Sequence, residues 1–311
     1  MNRQPICVLG SLNIDLTVTL ERFHQPGETV NATGFSTFTG GKGGNQAVAA
    51  ARLGAEVHMV ACVGDDTNAG VYRAALDEAG IGRDYLFVEP ALPTGVALIE
   101  VDARGENRIA VVAGANAALT ADRVSQAGPL LPRCGLLLLQ LETPIEAVHH
   151  AAALARQAGG RVILDPAPAR PLSDGLLQLC DLITPNEHEL GIVTGLPSDD
   201  EDQAIAACAQ LIRRGARAVV NKRGRRGALL VTPEGAVRIP GYRVDAVDTT
   251  AAGDTFNAGL AVGLSMDLPL PDAVRLANAA AALSTTAMGA QGAMPALGAA
   301  LALIDEGEIA E

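Results

Sequence analysis

The chain alternates short apolar runs with segments of helical periodicity, and this rhythm restricts its possible folds more than any other property of the sequence. Residues 6–9, 57–63, 136–141, 162–165, 182–184 and 218–221 are strand-like runs rich in Val, Ile and Leu. Between them, 45–53, 69–79, 145–157 and 202–214 are helix-like. Repeated strand, helix and strand is the signature of a parallel sheet with helices on its faces. The expected fold class is α/β, a three-layer α/β/α core with a mostly parallel sheet.

Two stretches break the rhythm. Residues 95–102 and 107–112 are apolar strands flanking Ala103, Arg104, Gly105 and Glu106, which predicts a hairpin around a glycine-containing turn. Residues 29–39, with their Thr, Val and Phe content, can pair with that hairpin. A small β-sheet lid is therefore expected, built discontinuously from residues 13–39 and 93–113 within a single domain spanning 1–311. From 253 to 303 the sequence is dominated by Ala, Leu and Gly, with Pro269, Pro271 and Pro295 as punctuation, and predicts packed helices.

Composition narrows the partners. No apolar run approaches the roughly 20 residues of a membrane span, and residues 1–10 enter a strand without a leader-like apolar core, so a cytoplasmic protein with no membrane partner is expected. The five cysteines are odd in number and scattered, which fits buried small hydrophobes rather than a disulfide framework or zinc site. A net charge of −12 disfavours a nucleic-acid partner, whose phosphates call for Lys and Arg.

Three motifs carry candidate chemistry. In the first, Gly40, Gly41, Lys42, Gly43 and Gly44 precede Asn45. Consecutive glycines at a helix start are expected to leave backbone amides open to a ligand, the alternative being a tight strand-to-helix turn. Gly43 stands where a P-loop has Ser or Thr, and the dinucleotide G-x-G-x-x-G pattern is absent. In the second, Asp248, Thr249, Thr250, Ala251, Ala252 and Gly253 lead to Asp254 at a helix start. The amides of Ala252, Gly253 and Asp254 are expected to form an anion hole. Taken alone, Asp254 reads equally well as a first-turn acid favouring the helix dipole. In the third, Asn186 and Glu189 follow Pro185 on one helical face, with oxygens suited to magnesium and its waters, or else forming a capping box. A basic loop, Lys222, Arg223, Gly224, Arg225, Arg226 and Gly227, is by itself a solvated turn.

Further short matches accompany these motifs: Gly10, Asn13 and Asp15; Pro26, Gly27 and Glu28; Gly64, Asp65 and Asp66; Gly114 and Asn116; Leu139, Gln140 and Glu142; Asp165, Pro166 and Pro168. In this order, and nearly end to end, they resemble the ribokinase-like, phosphofructokinase-B-type family of sugar kinases. The resemblance implies ATP-dependent phosphorylation of a pentose, foremost D-ribose to D-ribose 5-phosphate. Another small sugar such as 2-deoxyribose or fructose, or a nucleoside, is the alternative, and a catalytically silent sugar-binding sensor is the non-enzymatic one.

By position, the resemblance implies that Asn13, Asp15, Gly41, Asn45 and Glu142 hold sugar hydroxyls, with Lys42, Gly43 and Gly44 in the same segment. It places ATP along Asn186, the loop from Lys222 to Gly227, Gly253 and Asn278, with cations of that loop facing phosphate. Asp254 becomes the general base, preceded by Ala251, Ala252 and Gly253. With a reference pKa of about 3.9 it is expected to take the alcohol proton only as attack proceeds. Magnesium is implied at Asn186 and Glu189 through water. Potassium is implied as an activator at Asp248, Thr250, Ser284, Ala287, Gly289 and Ala293, although Ala293 lacks the hydroxyl common there. The lids of two copies are implied to pair in a homodimer.

Overall fold

The structure is a computed structural model and describes residues 4–310. Residues 1–3 of the N-terminal stretch and Glu311 at the end of the expected domain lie outside the described residues.

The chain begins with β1 (Ile6–Leu9), β2 (Asn13–Thr19), β3 (Gly34–Gly40), α1 (Lys42–Arg52), β4 (Val57–Val63), α2 (Thr67–Glu78) and β5 (Gly82–Val88). The hairpin β6 (Gly95–Val101) and β7 (Asn107–Val112) precedes α3 (Ala121–Gln126), β8 (Leu136–Leu139), α4 (Ile145–Gln157), β9 (Arg161–Leu164) and α5 (Asp174–Leu177). Then come β10 (Leu182–Ile183), α6 (Glu187–Thr194), α7 (Glu201–Arg213), β11 (Ala218–Lys222), β12 (Ala228–Thr232) and β13 (Gly235–Ile239). The helices α8 (Ala252–Ser265), α9 (Leu270–Ser284) and α10 (Leu297–Glu306) follow.

Nine strands form one sheet in the order β13-β12-β11-β10-β9-β8-β1-β4-β5. Pairs from β5 to β11 are parallel, whereas β12 is antiparallel to β11 and β13. The expected mostly parallel sheet is present, extended by an antiparallel edge that the strand-helix rhythm did not announce. Side-chain alternation divides the core into two layers. Ile6, Val8, Leu136 and Leu138 pack with α1, α8 and α9, while Cys7, Leu9, Leu137 and Leu139 pack with α4 and α7. Burial on both faces explains why these strands read as continuous apolar runs. All five cysteines are free and buried. Among the described residues no helix is long and apolar enough to cross a membrane.

The second sheet has the order β3-β2-β6-β7. Its register sets Asn13 beside Gly40 and Gly95, and Asp15 beside Phe38 and Ala97, so the two polar residues share a face. Residues 29–33, expected within a strand, lie outside β3.

Helix α1 starts at Lys42, three residues before the expected position, so Gly43 and Gly44 belong to its first turn. Gly41 caps it at φ 83, where a Cβ would meet Asn13 N at 2.8 Å and Ser11 O at 2.9 Å. A Cβ on Gly43 would lie 2.7 Å from the Gly10 backbone. These glycines let the helix start press against the turn after β1, which is why bulkier residues are excluded.

Candidate active site

The polar residues of interest gather at the carboxyl ends of the parallel strands, the usual location of the ligand crevice in open α/β sheets. Ser11 and Asn13 follow β1, Gln140 and Glu142 follow β8, Asp165 follows β9, Asn186 follows β10, and Lys222 ends β11. The first turn of α8 meets them from one side and that of α1 from another.

The start of α8 depends on a left-handed residue. Ala251 has φ 58 and ψ 13, a conformation that L-residues adopt at a cost. This bend closes a tight turn in which Ala252 N donates to Thr249 O at 3.2 Å. The three-amide anion hole expected from the sequence is therefore reduced. Ala252 spends its amide on the turn, while the Gly253 and Asp254 amides donate to no group among the described residues. Lys222 Nζ lies 3.6 Å from the point where a Gly253 Cβ would stand, placing a cation beside those two amides.

Asp254 is 5% exposed, and each carboxylate oxygen has a partner. Asn45 Nδ2 donates to Oδ2 at 3.0 Å and Gln46 Nε2 to Oδ1 at 3.2 Å. Burial pushes the carboxyl up to about 6; Lys42 opposes the rise, Asp165 adds to it, and the two amides oppose it. Asp254 is thus a stronger base than its reference value implied. Gln46 Nε2 also donates to Asp165 Oδ2 at 3.0 Å, and Gln46 Oε1 accepts from Gln140 Nε2 at 2.6 Å. Lys222 Nζ completes the network at 2.8 Å from Asp165 Oδ1.

On the other side of Asp254 lies a cluster of polar side chains. Asn13, buried at the root of β2, accepts from Asn116 Nδ2 at 2.8 Å. Asp15 is raised to about 7 by burial and by the charges of Glu142 and Asp254. Glu142 accepts from Ser11 Oγ and from Lys42 N at 3.0 Å. Burial works against the charge of Lys42, but Asp254, Asp165, Glu142 and Glu189 together hold the amine above its ordinary pKa.

The glycine segment differs from expectation. Lys42 N serves Glu142, Gly43 N reaches Ser11 Oγ at 3.4 Å, Gly44 N donates to Ser11 O at 3.0 Å and Asn45 N to Gly41 O at 2.9 Å. Its amides from Lys42 to Asn45 are spent on the protein rather than left open to a ligand, because the close approach to Gly10 and Ser11 brings acceptors to them.

Beyond Gly253 a cavity of about 980 Å³ is lined by Lys222, Gly224, Arg225, Gly227, Gly253 and Asn278, among others. Asn278 Nδ2 donates to Ile239 O at 3.1 Å and Pro240 O at 3.0 Å. The basic loop does not present all its cations to this cavity. Arg223, 6% exposed, is paired with Glu187 at 3.4 Å and Glu201 at 3.0 Å, and Arg226 with Glu187. The acids of α6 and α7 draw these two guanidinium groups away from the cavity, so Arg225 and Lys222 are the loop cations that line it.

The candidate metal ligands are already engaged with one another. Asn186 and Glu189 form a reciprocal capping box, Oδ1 accepting from Glu189 N and Oε2 from Asn186 N, each at 2.7 Å. Among the described residues nothing donates to Glu189 Oε1, which suits a magnesium ion that keeps most of its waters. Asp248 Oδ1 accepts from Thr250 N at 2.9 Å and Oγ1 at 2.6 Å, and Oδ2 accepts from Gly289 N at 2.9 Å. Although burial works against it, these bonds hold the Asp248 carboxyl below its ordinary range. Among the described residues no backbone amide donates to the carbonyls of Thr250, Ser284, Ala287, Gly289 and Ala293, which leaves neutral oxygens of the kind potassium accepts.

Two amides without a partner among the described residues and a cation beside a large cavity, with a buried carboxylate next to a cluster of polar side chains, suit phosphoryl transfer to an alcohol. A pfkB family carbohydrate kinase model matches residues 3–297. Haemophilus influenzae ribokinase is 41% identical over 294 residues, covering 94% of this chain and 96% of that one. Salmonella typhimurium deoxyribokinase is 38% identical over 293 residues, covering 94% and 96%. Arabidopsis thaliana ribokinase complexed with ribose and ATP superposes with a TM-score of 0.89 at 33% identity, covering 97% of this chain and 99% of that one. The chain belongs to the pfkB family of carbohydrate kinases. It is an ATP-dependent sugar kinase.

Proposed function

We propose that the chain transfers the γ-phosphoryl group of ATP to the primary hydroxyl of D-ribose, giving D-ribose 5-phosphate. The observation that carries this reading is the position of Asp254: it adjoins Gly253 of the nucleotide-sized cavity and is held by Asn45 at the edge of the polar cluster. Asn13, Asp15, Asn45 and Glu142 offer a sugar several fixed carboxylate and amide partners, the kind of site that rejects analogues lacking a hydroxyl.

Asp254 accepts the proton of the attacking hydroxyl as the phosphorus–oxygen bond forms, while the Gly253 and Asp254 amides and Lys222 meet the charge on the transferring group. Asn186 and Glu189 would hold magnesium through its waters, and the ion would supply charge neutralisation on the ATP phosphates. The carbonyls of Thr250, Ser284, Ala287, Gly289 and Ala293, with Asp248, would hold a potassium ion, whose charge would steady the turn that precedes α8. The second sheet serves as a lid that excludes water from the sugar. Its exposed Phe35, Phe38, Leu98, Ile109 and Val111 favour pairing with the lid of a second copy in the cytoplasm.

The likeness to a deoxyribokinase makes 2-deoxyribose the second candidate. Initial rates of ADP release with ribose, 2-deoxyribose, fructose and a nucleoside test the choice. Ribose is expected to give the highest kcat/KM, and a preference for any other acceptor replaces it.

A further inference from the structure

Gln291, in the segment between α9 and α10, takes part in none of the roles assigned above. Its side chain nevertheless touches three elements. Thr39 Oγ1 of β3 donates to Gln291 Oε1 at 2.6 Å. Gln291 Nε2 donates to Asn45 Oδ1 of α1 at 3.2 Å and to Tyr72 Oη of α2 at 3.3 Å. Tyr72 in turn donates to Gly40 O at 2.6 Å.

The directions of these bonds are fixed by their ends. An ionised Asp254 only accepts, so Asn45 must turn its NH2 group toward it and its Oδ1 away. That Oδ1 needs a donor, and Gln291 supplies it. The Gly40 carbonyl likewise only accepts, so Tyr72 donates to it and receives from the second Gln291 proton. Both protons being committed, Gln291 Oε1 faces Thr39, whose hydroxyl must donate. One arrangement satisfies every member of the chain.

We propose that Gln291 is a positioning residue for phosphoryl transfer: it orients the Asn45 carboxamide toward Asp254 and couples that orientation to the seating of strand β3 through Thr39. It touches neither the carboxylate nor the phosphoryl site and acts through Asn45. The proposal rests on the reading of Asp254 as the base. The groups that face Asp254 electrostatically are Lys42 from α1, Asp165 after β9, Asp15 from β2 and the Tyr72 hydroxyl from α2. None of them can replace the donor that sets the Asn45 amide. Losing that bond removes a stabiliser of the ionised carboxylate, which moves the acid limb of kcat/KM to higher pH.

The test is a double-mutant cycle between Gln291→Met and Asn45→Ala, read by pH-dependent kinetics of the full-length enzyme with ribose and ATP. Gln291→Met is expected to lower kcat about tenfold and to raise the midpoint of the acid limb, with the KM for ATP unchanged. In the Asn45→Ala background the same substitution is expected to have almost no further effect. Additive losses, or an unmoved acid limb, overturn the proposal. If Gln291→Met does not fold, Thr39→Val gives the same reading with a smaller amplitude, since it removes only the donor that fixes Gln291. Asp254→Asn separates the two levels of inference. An active Asp254→Asn enzyme refutes the base itself, whereas an inactive one combined with an additive cycle refutes only the role of Gln291.

Discussion

Gln46 Nε2 donates to Asp254 Oδ1 across 208 residues of sequence, so the residue next to Asn45 holds the second oxygen of the same carboxylate. Two consecutive side chains of α1 thus present Asp254 in one orientation. Removing only its basicity is expected to preserve that frame. Asp254→Asn should keep sugar affinity and lose about 10²–10⁴-fold or more in kcat. Calorimetric sugar binding alongside turnover decides it, and near-normal turnover is incompatible with the assignment.

The raised pKa of Asp254 has a kinetic signature. As a base it must be ionised, so kcat/KM for the sugar should fall as pH drops through about 6. Lys42 lowers that value, and Lys42→Met is expected to move the acid limb upward. A limb that stays in place or moves down would show that the amine does not act on this carboxylate.

Asp15 makes the apoprotein less stable above neutrality. Its folded pKa of about 7 exceeds the ordinary value of 3.8, so the favourable, protonated state is complete below the unfolded pKa and is lost as pH rises through about 7. Asp15→Asn should therefore melt higher than the parent at pH 8 by about 2 °C or more, converge with it near pH 4, and bind sugar more weakly. Thermal melts at the two pH values are the measurement, and a lower melting point at pH 8 contradicts the reading.

Ala251 offers a separation of strain from function. Its φ of 58 costs an L-residue about 1–2 kcal/mol, against about 0.5–1 kcal/mol of extra chain entropy for glycine. Ala251→Gly is expected to be equally stable or slightly more stable in urea, with turnover retained. Ala251→Val should be clearly destabilised, because a β-branched residue fits the left-handed region poorly. Equal stability of the two variants would remove the argument.

The basic loop predicts two different phenotypes. Arg223→Ala strips a buried partner from Glu187 and Glu201 and should cost about 1–3 kcal/mol of stability with little change in the KM for ATP. Arg225→Ala should leave the melting temperature alone and raise that KM. Chemical denaturation and ATP titrations distinguish them, and reversed phenotypes would show that the two side chains were assigned to the wrong sides of the loop.

Much of the core was legible because burial on both faces leaves a continuous apolar run, as at Leu136 and Leu137, and because helices cover the sheet in sequence order. The antiparallel edge was not, since β12 and β13 are joined by a turn rather than a helix, and β13 is mostly exposed. Asp254 was legible at its helix start. Its partners were not: glutamine at position 46 has no periodic signal, and Asp165 and Lys222 meet it only through the fold. Glycines 43 and 44 misled for a physical reason. Close approach of backbone to backbone demands the same missing Cβ as close approach of backbone to ligand.

The register that sets Asn13 between Gly40 and Gly95 has a mechanical consequence. At that row β2, β3 and β6 leave the core, and a Cβ on Gly95 would collide with Asn13 Oδ1 at 2.2 Å. A rotation of the second sheet about that row would leave Asn13 nearly in place. With about 3.3 Å of rise per residue, a tilt of about 20° carries Asp15 roughly 2 Å and the far end of β2 roughly 7 Å. Asn13 would then stand at the fulcrum and Asp15 on a short lever arm, so a wide swing of the strand tips would require only a small displacement of these two polar residues.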